Sequence, residues 1–447
     1  MIHVWLKRYS TLTLTALLLV SSSALSQSSE EGADIPLNPE VSGEVEFWHF
    51  WGSPVRRTAV RRVIAICEEQ LPNISVTEVF KPWGDIWTAN IAAVAAGSGM
   101  PDVIVSDMNN LKAEAGEGIY QSIGEMAAAD GVDASLFWPF AWQRALYQEE
   151  LYGLPFETDV RILYYNKTAF EQAGLDPEDP PETWEELWAA ADALDMGENG
   201  NFERIGFSPL EGNGPPNIWV RNNAYEWIHD GKPVVADPAV AETLTWIKEW
   251  IDRYGGYDNF QRFTQGFSAP PNDSFMSSGI AMKVDTAGYS SILNFYRPTT
   301  EVDGEEVDLE WGVAPIPHNE GAESTSDSGG FTLSIPSGAE NPEAALEFIK
   351  CATSIPAQIS WARDTYAIPT RPEAASAAEL MADPNWEMFI NAIESVPEDS
   401  STFVAEYPGW GAELANRYEE VWRGDMASEA MLEEAQSAID QEIEANQ

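Results

Sequence analysis

The sequence predicts an α/β fold built from two lobes, each a β-sheet flanked by helices. Three observations support this prediction. The chain has 447 residues, enough to bury a large core and to divide into two domains. Strand and helix patterns alternate in the order βαβαβ from Glu44 to Val105. A further buried-strand pattern, Val160 to Tyr165, then leads out of this first unit into a second one.

The elements of the first unit follow from hydrophobic periodicity. Apolar and polar side chains alternate from Glu44 to Phe50, which predicts the first strand. The next predicted elements are a helix from Ser53 to Leu71, a strand from Ile74 to Phe80, a helix from Asp85 to Ala96 and a buried strand from Val103 to Val105. Ligands of open α/β sheets collect beyond the carboxyl ends of the strands. Residues 48–52, 81–85 and 106–110 are therefore candidate site segments.

The second unit begins near Asp159. A helix follows its first strand, because Thr183 and Glu186 form a T-x-x-E capping box. The apolar stripe of that helix consists of Leu187, Ala190, Ala191 and Leu194. Further helices are predicted from Ala239 to Tyr254 and over most of Ala412 to Ala445.

The amino-terminal residues predict export. Lys7 and Arg8 precede the apolar segment Leu12 to Val20, and Ala24-Leu25-Ser26 offers small residues for cleavage. This apolar segment is too short to span a membrane. Residues 1–26 are therefore interpreted as a signal peptide and residues 27–42 as an acidic leader, and no cysteine near the cut marks a lipid anchor. We expect a periplasmic, freely diffusing protein.

The chain is strongly acidic, with 73 Asp and Glu against 24 Lys and Arg and a formal net charge of −49. Such a charge disfavours binding to nucleic acid or anionic lipid. The carboxylates are spread along the whole chain, which is typical of a halophilic surface that holds water while mobile cations screen its charge. Capture of a cationic ligand is the less favoured alternative.

Cys67 and Cys351 are the only cysteines, and an exported protein could join them in a disulfide. Each follows apolar residues in a predicted helix, and the two helices are expected to belong to different lobes. A bridge between lobes would restrain a hinge, so two buried thiols are favoured.

The usual signatures of catalysis are missing: the sequence has no G-x-S-x-G, H-E-x-x-H, G-x-x-x-x-G-K-[ST] or C-x-x-C motif. The histidines His49, His229 and His318 lie on unrelated elements, which favours structural roles over metal binding. No cofactor or metal is predicted. A carboxylate pair of the glycosidase kind stays open because acidic residues are so common, so a secreted carbohydrate-active enzyme remains the alternative.

Aromatic residues point to a sugar ligand, since the chain holds 18 Trp, 18 Phe and 14 Tyr. Sugars present C–H faces to aromatic rings and hydroxyls to planar hydrogen-bonding groups. Aromatic residues near polar groups at predicted strand and helix ends are therefore candidates, and core packing is the alternative for each. These candidates are Trp48, His49, Trp51, Trp83 with Asp85, Trp219 with Arg221, and Tyr289 with Asp285.

Several motifs recur in one order along the chain. Y-G-L-P from Tyr152 precedes a strand ending Y-Y-N-K, an A-G-L-D-P turn and a P-x-T-W-E-E-L helix; A-G-S-G-M-P-D-V-I-V, S-G-I-A-M, W-G-V-A-P-I-P, G-G-F-T-L-S-I and N-P-E-A-A-L-E-F-I occur elsewhere. In this order they resemble family 1 extracellular solute-binding proteins. These are the sugar-capturing subunits of bacterial ABC importers and are similar to maltose-binding protein.

The resemblance implies a type II periplasmic binding protein fold with a ligand cleft at the hinge. It places the N-terminal lobe at residues 43–157 and the C-terminal lobe at 158–278, with a return to the N-terminal lobe over 279–328 and the C-terminal lobe and closing helices over 329–447. It also implies ligand contacts from Asp107, Asn109, Asp159, Gly330 with Phe331, and Arg371.

The implied function is capture of a di- or oligosaccharide by hinge closure and its delivery to an ABC transporter permease, by a protein that is a monomer. A non-sugar ligand such as glycerol phosphate or a polyamine is the alternative within the family. A phosphate ligand would require clustered basic groups, for which Lys81, Arg161, Arg221 and Arg371 are the candidates.

The net charge predicts that the stability of the protein depends on salt. Removal of residues 1–26 takes away two basic residues and no acidic ones, so the formal charge of the mature chain becomes −51 from −49. We expect the melting temperature to rise from dilute buffer to molar NaCl, because screening relieves this self-repulsion. A flat or falling curve in differential scanning calorimetry would remove the halophilic interpretation.

Overall fold

The computed structural model describes residues 34–198, 200–397 and 402–446. The predicted signal peptide and the first residues of the leader lie outside them. The strands are β1 Gly43–His49, β2 Ile74–Phe80, β3 Val103–Asp107, β4 Leu146–Tyr147, β5 Glu150–Leu151, β6 Leu154–Thr158, β7 Arg161–Asn166, β8 Met196–Glu198, β9 Asn201–Gly212, β10 Ile228–His229, β11 Lys232–Pro233, β12 Ile280–Thr286, β13 Thr299–Val302, β14 Glu305–Asp308, β15 Trp311–Ala314, β16 Gly330–Ser334 and β17 Ile368–Pro369.

The helices surround these strands, and within the described part of the chain none is both long and apolar enough to cross a bilayer. They are α1 Pro54–Gln70, α2 Asp85–Ala96, α3 Leu111–Gly116, α4 Gly124–Ala129, α5 Pro139–Arg144, α6 Lys167–Ala173, α7 Trp184–Leu194, α8 Pro216–Arg221, α9 Pro238–Arg253, α10 Tyr257–Thr264, α11 Tyr289–Tyr296, α12 Pro342–Ala352, α13 Ile355–Thr365, α14 Pro372–Ala375, α15 Trp386–Glu394, α16 Trp410–Ala415, α17 Tyr418–Trp422 and α18 Ser428–Ala445.

The strands form two main sheets, and the sheets define two lobes. The first sheet has the order β17-β6-β16-β3-β1-β2, with β1 parallel to both β2 and β3. Helices α1, α12 and α13 pack on this sheet and define the first lobe with it. The second sheet has the order β15-β7-β12-β9-β8, and α7, α9 and α18 belong to the second lobe around it. The predicted α/β class is confirmed.

Most local predictions are confirmed by the elements observed. The side chain of Ser53 accepts a hydrogen bond from the backbone N–H of Arg56 at the start of α1, as an N-cap residue does. Both hydrogen bonds of the predicted capping box are present between Thr183 and Glu186. The first crossing between the sheets lies at residues 159–160, where the sequence places the boundary of the second unit.

The later lobe assignments need correction. The prediction returns residues 279–328 to the first lobe, yet β12 and β15 pair with β7 in the second sheet. The prediction gives all of 329–447 to the second lobe, yet β16 pairs with β3 and β6 in the first sheet. An apolar strand pattern shows that a strand is buried but does not identify its neighbours, because pairing partners lie far away in the sequence.

This topology also corrects the prediction for the cysteines. Cys67 on α1 and Cys351 on α12 form a disulfide whose Cα atoms are 5.6 Å apart. Both helices pack on the first sheet, so the bridge lies within one lobe and crosses no hinge. The expectation of two free thiols fails because β16 brings α12 back to the first lobe.

Loss of this disulfide should lower stability without blocking hinge motion. The bond closes a span of 284 residues, and removal of a native disulfide typically costs about 2–5 kcal/mol. Urea unfolding monitored by fluorescence should show this loss on addition of dithiothreitol. The double variant Cys67→Ser/Cys351→Ser is the control, because dithiothreitol should leave its unfolding curve unchanged. A thiol titration that finds two reactive groups in the unreduced, unfolded protein would contradict the bridge.

Candidate functional site

The candidate site lies where the two sheets meet. Strands β3 and β6 of the first sheet end at Asp107 and Thr158, and β12 of the second sheet ends at Thr286. Thr286 pairs with Arg161, the first residue of β7, just after the first crossing. The carboxyl ends of strands from both lobes therefore meet at the crossings, as expected for ligand sites in α/β sheets.

A group of charged side chains fills this junction, and we call it the interlobe cluster. It consists of three guanidinium groups and three carboxylates, those of Arg144, Arg161, Arg221, Asp107, Asp159 and Asp327. They come from α5, β7, α8, the end of β3 and the two segments that connect the sheets.

The ion pair between Arg221 and Asp327 is the most buried of these contacts. Nη1 of Arg221 lies 2.7 Å from Oδ1 of Asp327, and the amide of Asn217 donates to the other carboxylate oxygen at 2.8 Å. Burial raises the pKa of Asp327, but Arg221, and then Arg161 and Arg144, outweigh burial and lower it overall. The carboxylate is thus held ionised in a largely dry site.

Asp159 and Arg161 form a second pair at the first crossing. The guanidinium of Arg161 contacts the carboxylate of Asp159, which also accepts the backbone N–H of Gly329 at 2.8 Å. Burial lowers the pKa of Arg161, but Asp159 and then Asp327 raise it overall. The two segments that connect the sheets are therefore bonded to each other.

The third guanidinium approaches from the first lobe. Arg144 donates to the carbonyl oxygen of Ser328 and, at 3.4 Å, to the side chain of Asn109. Nearby, burial raises the pKa of Asp107, the backbone N–H of Asn109 opposes this, and Asp159 adds to the increase. The predicted residues Asp107, Asn109, Asp159 and Arg221 are thus brought together.

The glycine predicted at the crossing has a structural reason. Gly330 has φ of +138°, a conformation that favours glycine, and a Cβ there would lie 2.4 Å from the carbonyl oxygen of Glu157. The close backbone approach that requires glycine at this position is therefore between strands β16 and β6.

An aromatic wall, half-buried except at Trp83, borders the interlobe cluster. It consists of Phe50, Trp83, Trp87 and Phe331. The rings of Phe50 and Phe331 lie 4.8 Å apart, and Trp83 stands edge to face on Phe50, also at 4.8 Å. Phe331 pairs with Asp107 in the sheet, which places the wall beside a carboxylate. Trp83 is 60% exposed, so its ring is available to a ligand.

The other predicted aromatic residues belong to the cores. Trp219 is fully buried and packs on Phe207 and Trp246, so the prediction of a stacking role is wrong for it. Trp48 and Trp51 are buried as well. The indole of Trp51 donates to Glu157 at 3.2 Å, while Lys81 lies over the ring of Trp48 at 3.8 Å. Position at the end of a predicted strand indicates that an aromatic residue lies near the edge of the sheet. It does not show whether the ring points into the core or towards a ligand.

Two further predicted residues have structural partners, and a third is exposed at a helix start. His49 is buried 3.4 Å from Glu78, and burial lowers its pKa. Arg371 is buried at the start of α14, 3.3 Å from Asp34, and is not part of the interlobe cluster. Asp85 is an exposed residue in the first turn of α2.

Tyr289 and Asp285 line the second lobe near the junction. The hydroxyl of Tyr289 donates to Asp273 at 2.8 Å, and its ring carries Lys283 at 3.6 Å. Lys283 in turn pairs with Asp285 at 2.9 Å, and Asn213 donates to Asp285 at 3.2 Å. Asp285 therefore stays a candidate for ligand contact. The buried Tyr289 has a structural role, because it contacts Asp273 and Lys283.

Four residues of the site were not predicted, namely Arg144, Asn217, Asp327 and Trp87, whereas Phe50 lies inside the candidate segment 48–52. Asp327 carried a usable signal, because it lies two residues before the glycine pair of a crossing segment. Arg144 and Asn217 carried none, since both lie on short helices of six residues. Among the described residues, no group of three or more His, Cys, Asp or Glu side chains could hold a metal ion.

Two sheets joined by crossing segments, with polar strand ends at the junction, define a two-lobed binding protein. The profile of the family described as bacterial extracellular solute-binding protein matches residues 62–388, well over half of the chain. The chain therefore belongs to that family, which confirms the resemblance.

Known proteins support the same assignment. The chain is 24% identical over 377 residues to the sn-glycerol-3-phosphate-binding periplasmic protein UgpB of Pectobacterium atrosepticum, covering 79% of this chain and 77% of the relative. It is 27% identical to CpMnBP1, whose structure holds mannotriose, with a TM-score of 0.77 over 88% of this chain and 99% of that one. The maltotriose-bound MalE domain of Bdellovibrio bacteriovorus shares the fold at 18% identity, with a TM-score of 0.72 and coverage of 90% and 100%.

Breaking the Arg221–Asp327 pair should be costly. In Asp327→Asn the buried guanidinium of Arg221 keeps Glu226 at 3.3 Å but loses its more buried carboxylate partner, and removal of one member of a buried pair typically costs about 3–5 kcal/mol. Because the folded-state pKa of Asp327 is lowered, its stabilisation is present above the unfolded pKa of about 3.9 and is lost as pH falls through the lower folded value. Urea unfolding should therefore show a deficit at neutral pH that narrows in acid.

The control for this experiment is Asp308→Asn, which removes an exposed carboxylate on β14 and should change little. An Asp327→Asn protein as stable as the wild type at neutral pH would show that the pair does not hold the junction.

Proposed function

We propose that this protein captures a neutral sugar, a di- or short oligosaccharide, between its lobes and delivers it to an ABC transporter permease. The observation that supports this most is the aromatic wall beside the interlobe cluster. An aromatic face next to planar hydrogen-bonding groups suits a sugar, which offers C–H faces and hydroxyls together.

The charge balance of the site argues for a ligand without net charge. In the interlobe cluster the three arginines face three carboxylates, and Lys283 is paired with Asp285. A phosphate needs cations whose charge is not already neutralised by carboxylates. A sugar hydroxyl, in contrast, can donate to a carboxylate and accept from a guanidinium in the same pair.

Capture of ligand between the lobes follows from the position of the crossing segments. Asp159 and Arg161 lie between the two sheets, so a ligand bound there touches both lobes. Such a ligand binds the closed arrangement better than the open one and shifts the equilibrium towards closure. The hinge change is confined to a few residues at the crossings. No covalent step is involved.

The relatives support a sugar ligand and leave sn-glycerol 3-phosphate as the alternative ligand. CpMnBP1 with mannotriose bound is 27% identical to this chain, which favours an oligosaccharide. UgpB is named for sn-glycerol 3-phosphate, and three clustered arginines would suit a phosphate if the carboxylates beside them turned away.

We also propose a cleavable signal peptide at residues 1–26, a periplasmic location, a monomeric state and a surface adapted to high salt. The family membership and the periplasmic relative support export. The net charge of −49 supports the adaptation to salt.

A ligand panel tests the proposed function. Mannobiose, mannotriose, maltose and maltotriose should be compared with sn-glycerol 3-phosphate by thermal shift and titration calorimetry in molar salt. A ligand specific for the folded state raises its melting temperature. We expect one or more neutral oligosaccharides to do so and sn-glycerol 3-phosphate not to. Stabilisation by the phosphate alone, or release of cleaved sugar, would overturn the proposal.

Variants of two tryptophans locate the ligand. Trp83→Ala should weaken sugar binding by about 1–3 kcal/mol with little change in melting temperature, because the ring is exposed. Trp219→Ala should cost about 3–5 kcal/mol of stability, because its ring is buried in the second lobe. Sugar affinity that survives Trp83→Ala unchanged would remove the aromatic wall from the site.

A further inference from the structure

A cavity of the second lobe lies apart from the interlobe cluster. It has a volume of about 940 Å³, lies between α7, α9 and α18, and shares no lining residue with that cluster. Ligand cavities in proteins typically measure about 300–1,000 Å³. We call this cavity the tryptophan groove.

Three tryptophans line the groove. Trp184 and Trp188 are four residues apart on α7 and therefore share one face of that helix. Trp246 on α9 stacks on Trp184 with ring centroids 4.1 Å apart and planes 16° apart. Trp188 and Trp246 are only partly buried, so the groove has an aromatic surface that a ligand can reach.

Carboxylates flank this aromatic surface in rows. The groove is lined by seven acidic side chains and by no Lys or Arg. The rows are Glu185 and Asp192 on α7, Glu242 and Glu249 on α9, and Glu429 and Glu433 on α18. Seven residues of helix are two turns, about 10 Å, so each of the first two rows is elongated along its helix.

Most of these carboxylates have no cationic partner. Asp192 pairs with Arg253 at 2.5 Å, and Glu242 accepts from Asn223 at 3.1 Å. Within the described ranges, no side-chain hydrogen bond or ion pair is formed by Glu185, Glu249, Glu429 or Glu433. The groove therefore concentrates negative charge around an aromatic surface.

We propose that the tryptophan groove binds a small, elongated organic cation, a linear aliphatic diamine in its simplest form. Methylene groups pack on tryptophan faces, and an ammonium group over such a face is attracted by the ring. The ring of Trp188 already attracts a cation beside the groove, since the guanidinium of Arg253, which does not line the groove, lies 4.7 Å from its centroid. Positive charges at both ends of the ligand match carboxylates two helical turns apart.

This site is independent of sugar capture, because no residue of the interlobe cluster or the aromatic wall lines it. Binding at the groove should therefore leave sugar affinity unchanged. Failure of one proposal would not decide the other.

Titration calorimetry with diamines of graded length tests the groove. The probes are 1,3-diaminopropane, 1,5-diaminopentane and 1,8-diaminooctane, at constant ionic strength and in the lowest NaCl concentration that keeps the protein folded. We expect saturable binding at one site that strengthens with chain length, whereas pentylamine should bind more weakly than the diamine of equal length. Far-UV circular dichroism of the same samples reports on folding.

Matched variants separate the groove from the acidic surface. Glu249→Gln/Glu433→Gln should weaken diamine binding by about tenfold, the effect of two lost exposed ion pairs. The control Glu305→Gln/Glu310→Gln removes two exposed carboxylates elsewhere and should leave affinity unchanged. Trp188→Leu keeps an apolar side chain but removes the ring, and it should weaken binding about threefold to fivefold.

Three results would overturn the proposal. Heats that never saturate, or that equal those from NaCl of the same ionic strength, would mean unspecific screening of an acidic surface. Equal losses of diamine affinity in Glu249→Gln/Glu433→Gln and in its control would also mean unspecific screening. Binding of a lysine-rich peptide in the absence of any diamine binding would assign the groove to a protein partner instead.

Discussion

The ion pair between Arg221 and Asp327 is the interaction on which the junction depends. Arg221 belongs to the second lobe, whereas Asp327 lies in the segment that returns the chain to the first sheet. The next residue of that segment, Ser328, is bonded from the first sheet by Thr158 at 2.6 Å and by Arg144. One short crossing segment is therefore held by both lobes. Because the carboxylate is largely buried, it must be paired to stay charged, and its pairing positions the backbone around which the lobes can move.

Charge is distributed differently at the junction and over the rest of the chain. The protein carries 73 acidic and 24 basic residues, yet three arginines meet three aspartates at the interlobe cluster. A surface covered with carboxylates is solvated and needs no partner, whereas a buried carboxylate does. The junction is thus locally balanced within a strongly negative protein. That balance is why a neutral, hydroxyl-rich ligand suits the cleft, while the unbalanced tryptophan groove suits a cation.

Local features of the fold could be predicted from the sequence, and long-range ones could not. Periodicity and capping located β1, α1 and α7, because these signals act within a few residues. Sheet membership of β12 and β16 depends on partners more than 70 residues away, and the prediction for the cysteines failed for the same reason. At the site, the motifs identified Asp107 and Asp159, but ring direction decides whether a tryptophan stacks on ligand. Trp83 and Trp219 each lie near polar residues in the sequence, yet Trp83 is exposed before α2 and Trp219 is buried within α8.

In the proposed mechanism, ligand binds between the lobes and stabilises their closed arrangement. Small-angle X-ray scattering of the mature protein with and without a saturating oligosaccharide tests this most directly, because closure of two lobes shortens the largest dimension of the particle. We expect a smaller radius of gyration in the bound state, with each lobe keeping its internal structure. A radius that stays the same at saturating sugar would contradict capture between the lobes.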